Sequence, residues 1–318
     1  MNVLIADKVP GWFVEKLKAA GCNVLWEPAL DGDTLTAAIT AHDPAVVIVR
    51  STKVQKPQIE AGAGLKMIIR AGAGVNTIDV ACATGRGVKV TNCPGTNSAA
   101  VAELAIGHLI NLDRRIADGA ADLKAGRWNK NGYSKARGLK GRTLGVLGMG
   151  NIGILVTRVA QALGMQIVTW DPFLSQEKAD ELGVRKTEDL LEVARASDAV
   201  TIHLALVPPT RGLVGAEFFA AMKKGAYLIN TSRAEVVEKA ALVAAIQEKG
   251  LRVGTDVFWT EPGANDTAFA DDIAQLPGVY GTHHIGASTD QAQDAVSDVA
   301  WQIMDTFLTT GQIINAVN

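Results

Sequence analysis

The spacing Gly148-x-Gly150-x-x-Gly153, answered by Asp171 eighteen residues past its last glycine, constrains this chain more than any other feature. Three spaced glycines are weak evidence in a chain that holds 32, so the flanks decide. An apolar, β-rich stretch (143–147) leads into Gly148, a helix-compatible stretch (152–163) follows, and a second apolar strand (166–170) delivers Asp171. Each part has a task in holding a dinucleotide. Gly148 permits a tight turn, Gly150 lets backbone approach a pyrophosphate, and Gly153 lets the helix pack closely on the strand. The pyrophosphate then rests on free N–H groups where the helix begins.

Asp171 would accept hydrogen bonds from a ribose and repel a 2′-phosphate by about 1 to 4 kcal/mol at ~4 Å. The following Pro172-Phe173-Leu174 contains no Arg or Lys to receive that phosphate. NAD is therefore expected rather than NADP. The alternative is a plain glycine turn with a surface aspartate.

With 318 residues, 48% hydrophobic and 20% charged, the chain can bury two cores. A net charge of −2 without like-charge blocks gives no reason to expect nucleic acid or an anionic membrane as partner. Small molecules are expected instead. The first residues, Met1 to Asp7, are too short and acidic for a secretory signal, and no apolar run reaches the roughly 18 residues that span a bilayer. A cytoplasmic location follows as the default expectation. Cys22, Cys82 and Cys93 are odd in number and lack C-x-x-C spacing, which indicates neither a disulfide framework nor a zinc site. Cys93 sits in a turn-like Asn-Cys-Pro-Gly run, where a packed small residue outweighs a reactive thiol.

Short apolar runs at 2–6, 23–26, 45–49, 66–70 and 87–90 alternate with helix-compatible stretches at 10–20, 33–41 and 78–85. A second series of six runs begins at 143 and ends at 279–282, the count of a full Rossmann sheet. The expected fold is α/β: two doubly wound parallel-sheet domains, a Rossmann cofactor domain and a flavodoxin-like substrate domain. Residues 97–114 and 289–308 read as long amphipathic helices. The second of these returns to the first unit, giving a discontinuous substrate domain (1–96 and 288–318) around a cofactor domain (97–287). Residues 126–142, polar, glycine-rich and basic, read as a loop.

Open parallel sheets bind ligands beyond the carboxyl ends of their strands. There the second series carries Gly148, Asp171, His203, Thr231-Ser232-Arg233, Asp256 followed by Glu261, and His283-His284, while the first carries Arg50-Ser51 and Gly72-Ala73-Gly74. Hydride transfer at a hydroxy acid needs a base for the hydroxyl proton, a cation for the oxygens and a carboxylate to orient the base. His284, Arg233 and Glu261 supply one of each. Structural alternatives stand beside them: Arg233 on a helix C-terminus, Glu261 a solvated loop acid, either histidine a satisfied core residue.

Gly148-Met149-Gly150-Asn151-Ile152-Gly153, Asn230-Thr231-Ser232-Arg233, Asp256-Val257-Phe258-Trp259-Thr260-Glu261-Pro262 and His284-Ile285-Gly286-Ala287-Ser288-Thr289 resemble the D-isomer-specific 2-hydroxyacid dehydrogenases over nearly the whole chain. Arg50-Ser51-Thr52, Arg70 to Val75, Asn97 to Glu103 and Ile285 to Gln293 are most similar to members acting on 3-phospho-D-glycerate. The resemblance implies His284 as acid/base, Glu261 as its ion-pair partner and Arg233 as the group holding the substrate carboxylate and carbonyl. It also implies backbone N–H groups at Ala73 and Gly74 for the carboxylate, with Arg50, Ser51 and Asn97 at the far end of the pocket. Leu204, Thr231, Ser232, Asp256 and Gly286 are implied around the cofactor, together with a homodimer or homotetramer built on the cofactor units. Members that reduce glyoxylate or hydroxypyruvate, and NADH-sensing corepressors of the same fold, are the alternatives.

Ala234, Glu238 and His283 depart from the family's usual glycine, aspartate and proline, and none removes a catalytic group. An extended backbone through His283 and His284 would turn the two rings to opposite sides. With the last residue at Asn318, an appended regulatory domain is not expected.

Overall fold

Val3 and Ile5 pack on one side of the first strand and Leu4 on the other, all with no exposed surface. Burial of both parities requires a layer on each face, which a parallel sheet flanked by helices provides. The computed structural model describes residues 1–262 and 268–318 and divides into two units, Met1–Asn97 with Ala287–Asn318, and Ser98–Gly286.

The first unit contains β1 (Asn2–Ile5), β2 (Asn23–Trp26), β3 (Val46–Val49), β4 (Met67–Arg70) and β5 (Lys89–Asn92). All pair in parallel in the order β2-β1-β3-β4-β5, the flavodoxin-like arrangement. One face, with Val46, Ile48, Met67 and Ile69, is covered by helices Gly11–Ala19 and Asp290–Thr310 through Phe13, Leu17, Ala300 and Ile303. Helix Asp290–Thr310, N-capped by Thr289, thus builds its core with the first sheet although it follows the second unit in sequence. The opposite face, with Val47, Val49, Ile68 and Val90, meets helices Gly32–His42, Lys56–Ala61 and Val80–Gly85.

The second unit contains β6 (Thr143–Leu147), β7 (Gln166–Trp170), β8 (Arg185–Lys186), β9 (Ala199–Ile202), β10 (Tyr227–Asn230), β11 (Arg252–Thr255) and β12 (Val279–Gly281). Its parallel order, β12-β11-β10-β9-β6-β7-β8, is the Rossmann order extended by one strand. The sequence pattern predicts six strands rather than these seven. The missed β8 has two polar residues at the sheet edge, paired with Val168 and Thr169, and two residues carry no alternation to detect. Helix Ser98–Arg114 lies against β10 and β11 and buries Ala105, Ile106, Leu109 and Leu112.

Three further differences have local causes. Residues 126–142 contain a helical turn, Lys130–Tyr133, capped by Asn129. Helix Ile116–Lys124 buries none of its residues, so core periodicity does not mark it. The fifth strand begins at Lys89, two residues later than the apolar run suggests. The basic end of the 126–142 segment is docked by buried Asp113, which accepts from Gly138 N (3.1 Å) and Tyr227 Oη (3.1 Å) and faces Arg142 Nη1 at 3.5 Å. Among the described residues, no helix is long and apolar enough to cross a membrane.

Candidate active site

Strand order reverses at β6 in the second unit, opening a crevice where the loops after β6 and β9 diverge. Gly148 adopts φ 93°, and a Cβ there would stand 2.7 Å from the His203 carbonyl oxygen. A Cβ on Gly153 would stand 2.0 Å from the Gly148 carbonyl oxygen, so only glycine lets helix Asn151–Ala162 start this close to β6. Gly150 has nothing within 4 Å of its missing Cβ, and no side chain caps the helix that follows. Its first N–H groups are therefore available to an anion. Exposed Asn151 and half-buried Ile152 form the first turn.

Asp171 leaves β7 with both oxygens engaged: Oδ2 accepts from Met149 N (2.6 Å) and Oδ1 from Phe173 N (2.8 Å). One carboxylate thus ties the glycine loop to the strand beside it and keeps lone pairs for further donors. Leu204 packs over the loop, its Cδ2 lying 3.1 Å from where a Gly148 Cβ would be. At the end of β10, Asn230 Oδ1 accepts from Ser232 N (3.0 Å) and Ser232 Oγ (2.8 Å), and its Nδ2 donates to Arg233 O (3.0 Å). This folds the loop that presents Arg233. The Thr231 hydroxyl is buried and has no hydrogen-bond partner among the described residues, a group suited to a polar cofactor atom. These features fit a dinucleotide along the carboxyl ends of β6, β7 and β10.

Past β11 and β12, His284 Nδ1 lies 2.7 Å from Glu261 Oε2, while Glu261 Oε1 accepts from Phe258 N at 3.0 Å. Burial raises the Glu261 carboxyl, but hydrogen bonds from His284 and Phe258 N–H and the charges of His284 and Arg233 outweigh it and hold the group below its ordinary value. Arg233 is thereby close enough to act on Glu261 electrostatically, and its Nη1 donates to Ser232 O (2.7 Å). His284 and Glu261 thus meet directly, and Arg233 lies in the same second unit on the loop after β10. His284 sits in the left-handed region at φ 53°, so the extended backbone expected through His283 and His284 is replaced by a turn. Asp256, only 1% exposed, accepts from Thr282 Oγ1 (2.5 Å), Ile285 N (2.9 Å) and Gly286 N (2.7 Å). It braces that turn from below. His203 is held neutral, its pKa pushed down to about 3 by burial, with Nε2 2.9 Å from Thr201 Oγ1.

In the first unit, Arg50 N, Ser51 N and Thr52 N all donate to Asp7 Oδ2 (2.6, 3.1 and 3.1 Å), and Ser51 Oγ donates to Asp7 Oδ1 (2.9 Å). The Arg50 guanidinium reaches Ala287 O (3.4 Å) and Ser288 Oγ (3.3 Å). Arg70 folds over Gly72, where a Cβ would collide with its guanidinium. Asn92 Nδ2 donates to Ala73 O (2.6 Å), shaping the loop that carries Ala73 and Gly74, and half-buried Asn97 ends this part of the unit. Cys93 is fully buried, its thiol pushed up to about 11 by burial, in keeping with a packed residue. Sequence reasoning missed Asp7, Arg70 and Asn230 as site-shaping residues, although all three stand at carboxyl ends of strands.

Residues 106–286 match the family described as D-isomer specific 2-hydroxyacid dehydrogenase, NAD binding domain. A D-3-phosphoglycerate dehydrogenase of Methanocaldococcus jannaschii is 38% identical over 278 residues, 87% of this chain and 52% of that protein. A solved structure from Thermus thermophilus is 29% identical with a TM-score of 0.88, covering all of both chains. NAD+-bound 3-phosphoglycerate dehydrogenase from Entamoeba histolytica is 28% identical with a TM-score of 0.82, covering 100% of this chain and 98% of that one. The chain spans about half the length of the curated relatives it matches.

The Glu261 shift has a consequence for stability. The folded chain holds this proton less tightly than the unfolded chain, so the carboxylate adds stability above its ordinary value of 4.5 and loses it as pH falls through the lower folded-state value. Glu261→Gln is expected to be less stable than wild type near pH 7, with the gap closing as pH falls below the group's ordinary value. Urea unfolding across that range checks this, and a gap independent of pH would contradict it.

Proposed function

The chain belongs to the D-isomer-specific 2-hydroxyacid dehydrogenases, and from that premise we propose that it interconverts a D-2-hydroxy acid and its 2-oxo acid with NAD, the pair being 3-phospho-D-glycerate and 3-phosphooxypyruvate, for serine biosynthesis in the cytoplasm. The observation that carries the reading is the His284–Glu261 pair with the charge of Arg233 beside it. The name shared by relatives at 33 to 38% identity supports the phosphorylated substrate. Bound NAD supplies the hydride acceptor.

Everything else falls to the chain's own residues. Glu261 accepts at Nδ1, which leaves His284 Nε2 as the ring nitrogen able to take the hydroxyl proton. The imidazolium formed is then stabilised by the adjacent carboxylate. Arg233 orients the carboxylate and the C2 oxygen. In the first unit, N–H groups at Ala73 and Gly74 receive the carboxylate, and Ser51 and Asn97 line the substrate. The guanidinium groups of Arg50 and Arg70, at the ends of adjacent strands, provide the charge a phosphate needs. Gly148 to Gly153, Asp171, Leu204, Thr231, Ser232, Asp256 and Gly286 form the cofactor side. Self-association is assigned to the second unit, where Ile116, Leu123 and Trp128 are 55, 60 and 81% exposed on and beside helix Ile116–Lys124. Burying this apolar surface against a second copy favours a dimer.

Turnover of 3-phosphooxypyruvate with NADH, compared with glyoxylate and hydroxypyruvate, tests the substrate. A preference for the phosphorylated acid of about 10²-fold or more is expected. Equal turnover of an unphosphorylated acid reassigns the substrate, and tight NADH binding without any turnover favours a sensing role. His284→Ala should lower kcat by ~10² to 10⁴-fold with NADH binding nearly intact. Asp171→Ala should weaken NAD binding by about tenfold or more and narrow the preference over NADP, read by fluorescence titration. Sedimentation should show a dimer that Trp128→Asp drives toward monomer, and a monomeric wild type would refute the assignment.

A further inference from the structure

Helix Ser98–Arg114 directs one imidazole inward: His108 is 5% exposed and lies against β11. Gly254 makes the room, since a Cβ there would stand 2.7 Å from His108 Cβ and 3.0 Å from its Nδ1. His108 Nε2 lies 3.1 Å from Thr282 Oγ1, and the Thr282 hydroxyl donates to Asp256 Oδ1 at 2.5 Å. Asp256 in turn receives Ile285 N and Gly286 N, the two amides that follow His284. The order of protons is set from the far end. A carboxylate only accepts, and a hydroxyl has one proton to give, so Thr282 donates to Asp256 and accepts from His108 Nε2–H. Burial holds the ring below its ordinary pKa against the opposing charge of Asp256, which keeps it a neutral donor.

We propose that His108 is a positioning residue for the hydride-transfer site, acting through Thr282 and Asp256 to hold residues 284–286 in the turn that places His284 Nδ1 on Glu261. The turn needs such a hold. His284 carries a left-handed backbone at φ 53°, a conformation that a non-glycine residue keeps only where its surroundings fix it. Removing the donor leaves the half-buried Thr282 hydroxyl oxygen without its imidazole partner and free to swing away from Asp256. The two amides then lose a fixed acceptor. His108 touches neither reactant nor cofactor in this scheme, so its effect appears in turnover rather than in binding.

The catalytic part rests on the dehydrogenase reading, so the test has a second readout. His108→Leu and Thr282→Val each should lower kcat for 3-phosphooxypyruvate reduction by about tenfold, with KM for the oxo acid within about threefold of wild type. His108→Gln, whose amide can donate to Thr282, should restore kcat to within about threefold. The double variant His108→Leu/Thr282→Val should be no worse than either single one, because one chain is broken once. Amide hydrogen exchange at Ile285 and Gly286 should accelerate by about tenfold in both single variants and not in His108→Gln. Folded variants with wild-type kcat and protection overturn the proposal, as do multiplying losses in the double variant or a Gln variant as impaired as Leu. If His108→Leu does not fold, the near-isosteric Thr282→Val decides. A wild type without turnover sinks the dehydrogenase reading instead, and the exchange measurement still decides this one.

Discussion

A carboxylate at the end of a parallel strand, collecting the backbone N–H groups of the loop beside it, is the interaction on which the loops of each unit depend. A loop leaving a parallel sheet has amides with no ladder partner, and each must find an acceptor or remain wet. Asp7 after β1 gathers three amides from residues 50–52, Asp171 after β7 takes Met149 and Phe173, and Asp256 after β11 takes Ile285 and Gly286. Charge-assisted bonds of this kind are stronger than neutral ones and directional. Three acids therefore set the paths of the loops that carry Arg50, the glycine fingerprint and His284.

Local pattern made much of this legible. The glycine spacing and Asp171 mark the Rossmann unit because the whole fingerprint sits within one short β-turn-helix-β stretch, where Gly148 and Gly153 leave no room for a Cβ. Both-face burial explains why uniform apolar runs such as Val46–Val49 read as parallel strands. The family motifs brought out Arg233, Glu261 and His284, and of these His284 and Glu261 are in hydrogen-bond contact. What stayed hidden is non-local. Asp7 acts on a loop 43 to 45 residues away, and His108 meets Thr282 across 174 residues, separations that periodicity cannot see. β8 and helix Ile116–Lys124 escaped for a different reason, since neither buries the stripe from which pattern reasoning works.

The placement of glycines follows the same need for close approach. At Gly148, Gly153, Gly254 and Gly286 an added methyl group would meet a neighbour inside 3 Å: the His203 and Gly148 carbonyl oxygens, the His108 side chain and the Asp256 carboxylate, respectively. All four contacts lie within the second unit, around its crevice or beneath the His284 turn. Each of these neighbours belongs to a residue of the crevice or of the chain of hydrogen bonds under His284, so a substitution costs lost geometry as well as overpacking.

Exposure divides the labour in the His284 turn. The side chains of His284 and Glu261 are 47 and 35% exposed, whereas Asp256 and His108 beneath them are 1 and 5% exposed. A base that exchanges protons with a small acid has to remain accessible, so it cannot rely on tight packing for orientation. Water competes for each of its hydrogen bonds and weakens any single one. The dry groups below are free of that competition, and a bond made in low dielectric holds its geometry better. Orientation of the exposed imidazole is thus best secured through its backbone, at Ile285 and Gly286, with Glu261 fixing which ring nitrogen faces outward. The left-handed conformation at His284 is then the cost of turning the chain so that a buried acid can reach those amides while the ring stays at the surface.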